Sequence, residues 1–360
     1  MSDLILNARF LTRPQTGVDR VAQELTAALI EDRPGLRIRA LCPREGVVHQ
    51  EDRPTALMQH VQRSASSLKG QLWEQVHLAG AHKNDWLLSL CNMGPVWRKR
   101  QIVMIHDAQV FRQPDSYSRA FRGWYQLLQP LLGRRAAMVL TVSEHSKHEL
   151  EQFGVVPSGK TRVVPNGADH ILRIGLDGTA LARWGLERGR YFLALGSLAP
   201  HKNLAMLVAA AKAREDQSIP LVIAGGGNAT VFSSNGIVSG EGIRVLGRVS
   251  EAELRTLYEY ATALAFPSLT EGFGLPPAEA MFCGCPVISS TGGAIPEVCG
   301  SATLALGPYD QAGWTRAMEE LAENSGLRHS LSERGRAQAA KFTWRAAAKR
   351  LASHLSELPN

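Results

Sequence analysis

The chain has 360 residues, 44% of them apolar and 20% charged, with a formal net charge of +7. That length exceeds what a single hydrophobic core usually serves, so two domains are expected, and the composition excludes a disordered or fibrous chain. Five scattered cysteines, an odd number, read as reduced thiols in a cytosolic protein and exclude a disulfide framework.

The start, "MSDLILNARF", lacks the basic segment, long apolar run and small-residue cleavage site of a signal peptide. The uncharged "AMFCGCPVISSTGGAIP" is broken by Gly284, Pro286, Gly292, Gly293 and Pro296, so it reads as a strand with turns and not as a membrane span. The expectation is a soluble or peripheral protein. In chain order, "DLILNA", "RIRALCP", "DWLLSLC", "QIVMIHD" and "MVLTVS" read as strands. Between the first two, "GVDRVAQELTAALIED" repeats apolar residues with a helical period. After an irregular, glycine- and charge-rich stretch near residues 165–190, "YFLALGS", "PLVIAGGG", "IRVLGRV", "TALAFPS" and "PVISS" repeat the strand theme. "NLAMLVAAAKARE" and "SEAELRTLYEYA" supply helices, the second opened by Ser250 with Glu253 three residues on, a capping box. Strands alternating with helices predict parallel sheets, here an α/β protein of two Rossmann-like domains. Its ligands would lie at the carboxyl ends of the strands, in the cleft that the domains face. A last helix, "TWRAAAKRLASHL", has no strand after it.

The candidate residues sit where strands end. "LALGSLAPHKNLAML" follows a strand with Gly196 and a loop reaching Lys202 at a helix start, a geometry that suits phosphate; a solvated lysine beside a turn glycine is the plain alternative. "QIVMIHDAQVF" places His106 and Asp107 at a strand end. His106 can there meet a substrate, act as an acid or base near neutral pH, or be tied to neighbouring backbone. Gly17, before the first helix, is a weaker anion-site candidate. "LVIAGGGNAT" has Gly225 and Gly227, but the third glycine of a dinucleotide fingerprint would fall on Thr230, so a tight strand-end turn is the better reading. "TEGFGLPPAEAM" carries two acids, Glu271 and Glu279, around Gly272 and Gly274. If Pro277 opens the helix, Glu279 stands in its first turn. Pro276 as cap has no side-chain acceptor to complete a capping box, so the structural excuse for Glu279 shrinks to a dipole contact of about 0.3–1 kcal/mol. The glycines let amides approach a ligand, and the constellation suits a polyhydroxylated, phosphate-bearing one. No Asp-x-Asp pair, P-loop or C-x-x-C motif is present.

Taken together, these segments resemble glycosyltransferase family 4, retaining enzymes of the GT-B fold. The resemblance runs nearly the whole chain. It includes Gly17, "HD" at His106–Asp107, "TVSEHSKHEL", "VVPNGAD" and "GSLAPHKN". Its most specific part is "VLGRVSEAELRTLYEYATALAFPSLTEGFGLPPAEAMFCGCPVIS", where the family's two glutamates, seven residues apart, fall on Glu271 and Glu279. It implies an acceptor-side domain over residues 1–170, a nucleotide-sugar domain over 171–340, and a final helix, 341–360, crossing back to the first domain. It also implies the roles. Lys202 and Ser197 lie on the donor diphosphate side, and the amides of Gly272, Phe273, Gly274 and Leu275 hold phosphate and sugar. Glu271 takes hexose hydroxyls and Glu279 ribose hydroxyls. Backbone at Arg248 and Val249 meets the base, while His106 and Gly17 face the reacting sugar and diphosphate, with Asp107 on the acceptor side. His106, Lys202 and Glu271 are the residues expected to carry turnover. One departure is His201, where many relatives have an arginine near this lysine. The diphosphate loses a permanent charge unless His201 or another residue supplies it.

The implied activity is transfer of a hexose, mannose favoured, from a nucleotide-diphosphate sugar, with GDP favoured over UDP. The acceptor is a glycan or polyprenyl-diphosphate-linked saccharide in polysaccharide, O-antigen or exopolysaccharide assembly. No cofactor or metal is expected, and the location is cytoplasmic or peripheral on the inner face of the membrane. From Arg98 to Arg135 stand eight Arg or Lys against two Asp. "SYSRAFRGWYQLLQPLLGRR" within it sets Phe121, Trp124, Tyr125 and Leu128 on one helical face. It is either a helix with its apolar face in the core or a surface held against an anionic membrane. Two other classes compete: a nucleotide-sugar epimerase of similar fold, which Glu271 and Glu279 argue against, and a nucleic-acid-binding protein using residues 98–135. No recognised binding module supports the second, and nucleic acid is not an expected partner.

Overall fold

A computed structural model describes residues 3–46, 53–226 and 239–359. The chain divides into two compact units, one of Met1–Gly167 with Thr343–Asn360, the other of Ala168–Phe342.

The first unit is built on a parallel sheet of seven strands. These are β1 (Leu4–Asn7), β2 (Ile38–Cys42), β3 (Val61–Arg63), β4 (Trp86–Ser89), β5 (Gln101–Met104), β6 (Met138–Thr141) and β7 (Thr161–Val163). Their order is β3-β2-β1-β4-β5-β6-β7. Strands β1, β4, β5 and β6 are buried at every position, which is why they read as near-continuous apolar runs and not as alternating ones. Helix Gly17–Asp32 begins with Thr16 as cap, in a capping box closed by Asp19, and it packs on helix Trp344–Ser356. Gly167 fits where the two segments of this unit meet: a Cβ there would lie under 3.0 Å from the backbone of Thr343 and Trp344. That explains the glycine of "VVPNGAD" physically.

The second unit carries a six-stranded parallel sheet in the order β10-β9-β8-β11-β12-β13. The strands are β8 (Phe192–Leu195), β9 (Leu221–Ala224), β10 (Ile243–Gly247), β11 (Ala263–Phe266), β12 (Val287–Ser290) and β13 (Leu304–Leu306). One core layer gathers Phe192, Leu207, Ile223, Ile288 and Trp314 on one face of the sheet, and another gathers Tyr191, Leu193, Val222, Phe266 and Met281 on the other. Helix Glu251–Tyr260 starts at Ser250 with the expected capping box. All ten strands read from the sequence are present. Strands β3, β7 and β13 are three-residue edge strands with partly exposed positions, too short for a periodic signal. Among the described residues no helix is long and apolar enough to cross a membrane.

Candidate functional site

In a parallel sheet, ligands bind at the carboxyl edge where the strand order reverses. In the second unit the reversal lies between β8 and β11, because the chain adds β9 and β10 on one side and β12 and β13 on the other. Lys202 follows β8 and Glu271 follows β11. Their side chains meet, Lys202 Nζ standing 2.6 Å from Glu271 Oε1 in an ion pair with both side chains mostly covered. The ammonium also lies 5.7 Å from the centre of the Phe266 ring. Lys202 belongs to a 3-10 turn, Pro200–Lys202, and not to the start of the following helix, which begins at Leu204. Between them Asn203 is left-handed (φ 54°), a conformation that asparagine tolerates better than most residues. Its side chain donates to the carbonyls of Pro267 (3.3 Å) and Pro308 (2.6 Å), and Leu269 N–H donates to His201 O at 2.7 Å. The lysine turn is therefore tied to the loops after β11 and β13. Asn203 escaped the sequence reading because only the contact across 105 residues of chain shows its role.

The backbone of Glu271 is buttressed by the turn after β12. Ala294 N–H donates to Glu271 O at 3.0 Å, and Gly293 (φ 61°) is packed so closely that a Cβ would fall under 3.0 Å from the backbone N and O of Glu271. Gly292 makes the same approach to Leu269. The helix after the loop runs Leu275–Phe282, with Gly274 (φ 100°) as cap, so it opens two residues before Pro277. Pro276 and Pro277 both fall in the first turn, where a missing N–H costs nothing. Glu279 is consequently the fifth helical residue, beyond the first turn, and the dipole contact does not hold it. Its carboxylate instead accepts from Tyr258 Oη at 2.9 Å on Oε2 and faces His170 Nε2 at 3.2 Å on Oε1.

His201 is buried. Desolvation first, then the neighbouring Lys202 ammonium, hold it below the usual imidazole range against a smaller opposing pull from Glu271. At neutral pH it supplies no replacement charge. Ser197 is exposed, its Oγ accepting from Ala199 N–H at 3.4 Å. Arg248 is exposed after β10, whereas Val249 packs on the core. The Phe273 ring is buried edge-on against Phe342 (centroids 5.5 Å apart), so only the backbone of Gly272–Leu275 can serve a ligand there. Gly225 is left-handed (φ 97°), as a strand-end turn requires, while Gly227 and Thr230 lie outside the described residues.

In the first unit the reversal lies between β1 and β4. Gly17, the first residue of the helix after β1, is exposed, but the helix start already carries a carboxylate. Asp19 accepts from Thr16 N–H (3.0 Å), Thr16 Oγ1 (2.7 Å) and Arg13 Nη2 (2.6 Å). His106 follows β5. Its N–H donates to Asn92 Oδ1 (2.8 Å) and its Nε2 lies 2.8 Å from Leu90 O, both partners being just beyond β4. A carbonyl only accepts, so Nε2 carries the proton and Nδ1 is left as an acceptor. Burial lowers the His106 pKa to about 4, outweighing the bond to Leu90 and the nearby Asp19. Of the three readings the structure favours the tie to neighbouring backbone over an acid or base near neutral pH: His106 is a neutral imidazole suited to hydrogen bonding. Asp107 is half-buried and accepts from Gln109 N–H at 3.0 Å, starting the next turn.

Helix Arg119–Arg135 departs from the core reading. Leu132 packs with Val103, Ile105 and Val139, but Phe121, Trp124 and Leu127 are 41%, 39% and 62% exposed. Tyr125 and Leu128 of the expected apolar face are half-buried, and Phe121 is stacked between Tyr117 and Tyr125.

Comparison with known proteins bears on both units. Residues 16–171 match the family model described as Glycosyltransferase Family 4, and residues 182–338 the one described as Glycosyl transferases group 1. The O-antigen chain mannosyltransferase RfbU of Salmonella typhimurium is 30% identical over 62% of this chain, an alignment that spans 61% of that protein. The O-antigen chain mannosyltransferase B of Escherichia coli is 30% identical over 68% of this chain and 67% of its own length. Among solved structures, Anabaena HepE in complex with UDP and glucose superposes with a TM-score of 0.75 at 17% identity, covering 99% of this chain and 100% of that one. At that identity the likeness carries the fold alone.

Proposed function

We propose, from the premise that the chain belongs to glycosyltransferase family 4 and has the GT-B fold, that it transfers a hexose with retention from a nucleotide-diphosphate sugar to a glycan or polyprenyl-diphosphate-linked saccharide. The observation that carries this reading is the Lys202–Glu271 pair at the strand reversal of the second unit. A cation and an acid side by side, with the glycine-containing backbone of Gly272–Leu275 directly following the acid in the chain, match a ligand that is anionic at one end and hydroxylated at the other. In the proposed reaction the bond between the anomeric carbon and the diphosphate oxygen breaks, and negative charge grows on the leaving nucleoside diphosphate. Lys202 stabilises that charge, together with the amides of Gly272 and its neighbours. Glu271 orients the hexose through its hydroxyls, and Glu279 takes the ribose. Ser197 lies beside the diphosphate and the backbone at Arg248 and Val249 beside the base. For the first unit Gly17 and His106 are proposed to contact substrate and Asp107 the acceptor, His106 through a hydrogen-bond acceptor. The acceptor hydroxyl attacks from the face the leaving group vacates and gives its proton to the departing phosphate. No metal takes part in the proposal.

Mannose, and a role in polysaccharide assembly, are favoured because two relatives are named O-antigen chain mannosyltransferases. GDP is the favoured base, UDP the alternative. A thermal-shift screen of the purified protein against GDP-, UDP-, ADP- and dTDP-sugars is expected to give its largest stabilisation with GDP-mannose. A larger shift with a UDP-sugar reassigns the base, and no shift with any sinks the reading. The uncovered Phe121, Trp124 and Leu127, on a helix that also carries Arg119, Arg122, Arg134 and Arg135, favour anionic membrane as the surface on which a lipid-linked acceptor is met. Sedimentation with acidic liposomes is expected at low salt and to fade as salt rises; absence of binding at low salt removes the membrane reading.

A further inference from the structure

We infer that His170 and Tyr258 are positioning residues that hold the Glu279 carboxylate in the orientation that takes the donor ribose. The inference rests on the ribose reading of Glu279 given above. Three elements converge on the acid: the 3-10 turn Asp169–Arg173, helix Glu251–Tyr260 and helix Leu275–Phe282. Tyr258 Oη donates to Oε2 at 2.9 Å and His170 Nε2 stands 3.2 Å from Oε1. The two oxygens thus face separate neighbours, Oε2 held by a hydrogen bond and Oε1 within ion-pair distance of an imidazole nitrogen, which restricts rotation of the carboxylate. Tyr258 is fully buried, His170 is 2% exposed and Glu279 is 8% exposed.

A carboxylate taken so far out of water costs free energy that an alanine or glutamine at the same helical position would not. The helix does not require the charge, since position five lies beyond the reach of its N-terminal dipole. Burial, with the adjacent Glu279 carboxylate, lifts the Tyr258 phenol well above its ordinary value, so the hydroxyl stays a donor at any working pH. His170 Nε2 stands within ion-pair distance of the other carboxylate oxygen. The carboxylate least explained by stability therefore has Tyr258 and His170 against it, one at each oxygen. That is what a group reserved for a ligand's hydroxyls needs.

The test uses calorimetric titration of the full chain with GDP and with 2′,3′-dideoxyguanosine diphosphate, and with the corresponding UDP pair. Wild type is expected to prefer the ribonucleotide. Tyr258→Phe should weaken ribonucleotide binding roughly tenfold, the factor that one lost hydrogen bond to a charged group carries; His170→Leu should weaken it in the same direction, and both should leave dideoxy binding unchanged. His170→Gln, which keeps a donor, should restore most of the preference. If Glu279→Ala abolishes the preference while Tyr258→Phe and His170→Leu keep it, the inference is overturned and the ribose reading stands. If Glu279→Ala keeps the preference, the ribose reading itself falls. Equal weakening of both nucleotides by the Tyr258 and His170 variants marks a purely structural role and also overturns the inference. Should His170→Leu not fold, Tyr258→Phe decides, because it deletes one oxygen and leaves the ring in place.

Discussion

Lys202→Ala is expected to lower turnover about 10²–10³-fold, the loss that follows removal of one preorganised group facing developing negative charge. The effect should be large for three reasons visible in the second unit. The ammonium is partly buried, where its field is less screened than at the surface. Its neighbour His201 is held neutral by burial and by Lys202 itself, so it offers no substitute charge. The lysine also neutralises Glu271 across 2.6 Å. Without it, a bare carboxylate confronts an anionic donor, so KM should rise along with the fall in kcat. Adding Glu271→Gln to Lys202→Ala should recover part of the KM loss and none of the kcat loss, a coupling that a double-mutant cycle resolves. The fold should persist, because the lysine lies on a turn at the sheet edge and not in either core layer. Near-normal transfer by Lys202→Ala would remove the lysine from the mechanism.

Gly293→Ala should damage the site as deeply from behind. Gly293 is left-handed, and its missing Cβ is where the backbone of Glu271 passes. A methyl group there adds backbone strain, and it meets peptide atoms that have no soft side chain to move aside. The chain must shift the Glu271 peptide or unfold the turn, at a cost of about 1–3 kcal/mol. A displacement near 1 Å at a positioning residue can cost ~10²-fold in rate, so activity should fall by about that factor even where the variant remains folded. Gly35→Ala is the control. That glycine has open space around it and no positive φ, and its variant should match wild type in unfolding temperature and rate. Wild-type kinetics in Gly293→Ala would show that the turn after β12 does not set the position of Glu271.

Much of this was legible in the chain because the signals are local. Central parallel strands are buried on both faces, so "DLILNA" or "PLVIAGGG" announce themselves as short apolar runs bounded by turns. The helix at Gly17 and the capping box at Ser250 obey spacing rules that act within a few residues. The acids of "TEGFGLPPAEAM" stood out because nothing nearby explained Glu279. What stayed hidden depends on pairs far apart in sequence. The edge strands β3, β7 and β13 exist because a neighbouring strand offers hydrogen bonds, not because three residues carry a pattern. The protonation state of His106 is set by how completely the end of β5 is enclosed and by Leu90, 16 residues away.

By itself, then, the sequence determined the α/β alternation, the family and the positions from which functional side chains depart, because periodicity, turn chemistry and motif spacing are written into neighbouring residues. Only the tertiary structure decided that Lys202 and Glu271 close into an ion pair at the strand reversal, 69 residues apart. It alone brought Tyr258 and His170 onto Glu279, left Phe121 and Trp124 uncovered within their unit, and kept His106 and His201 neutral. Each of these outcomes turns on burial and on the meeting of separate strand ends, which exist only once the sheet has assembled.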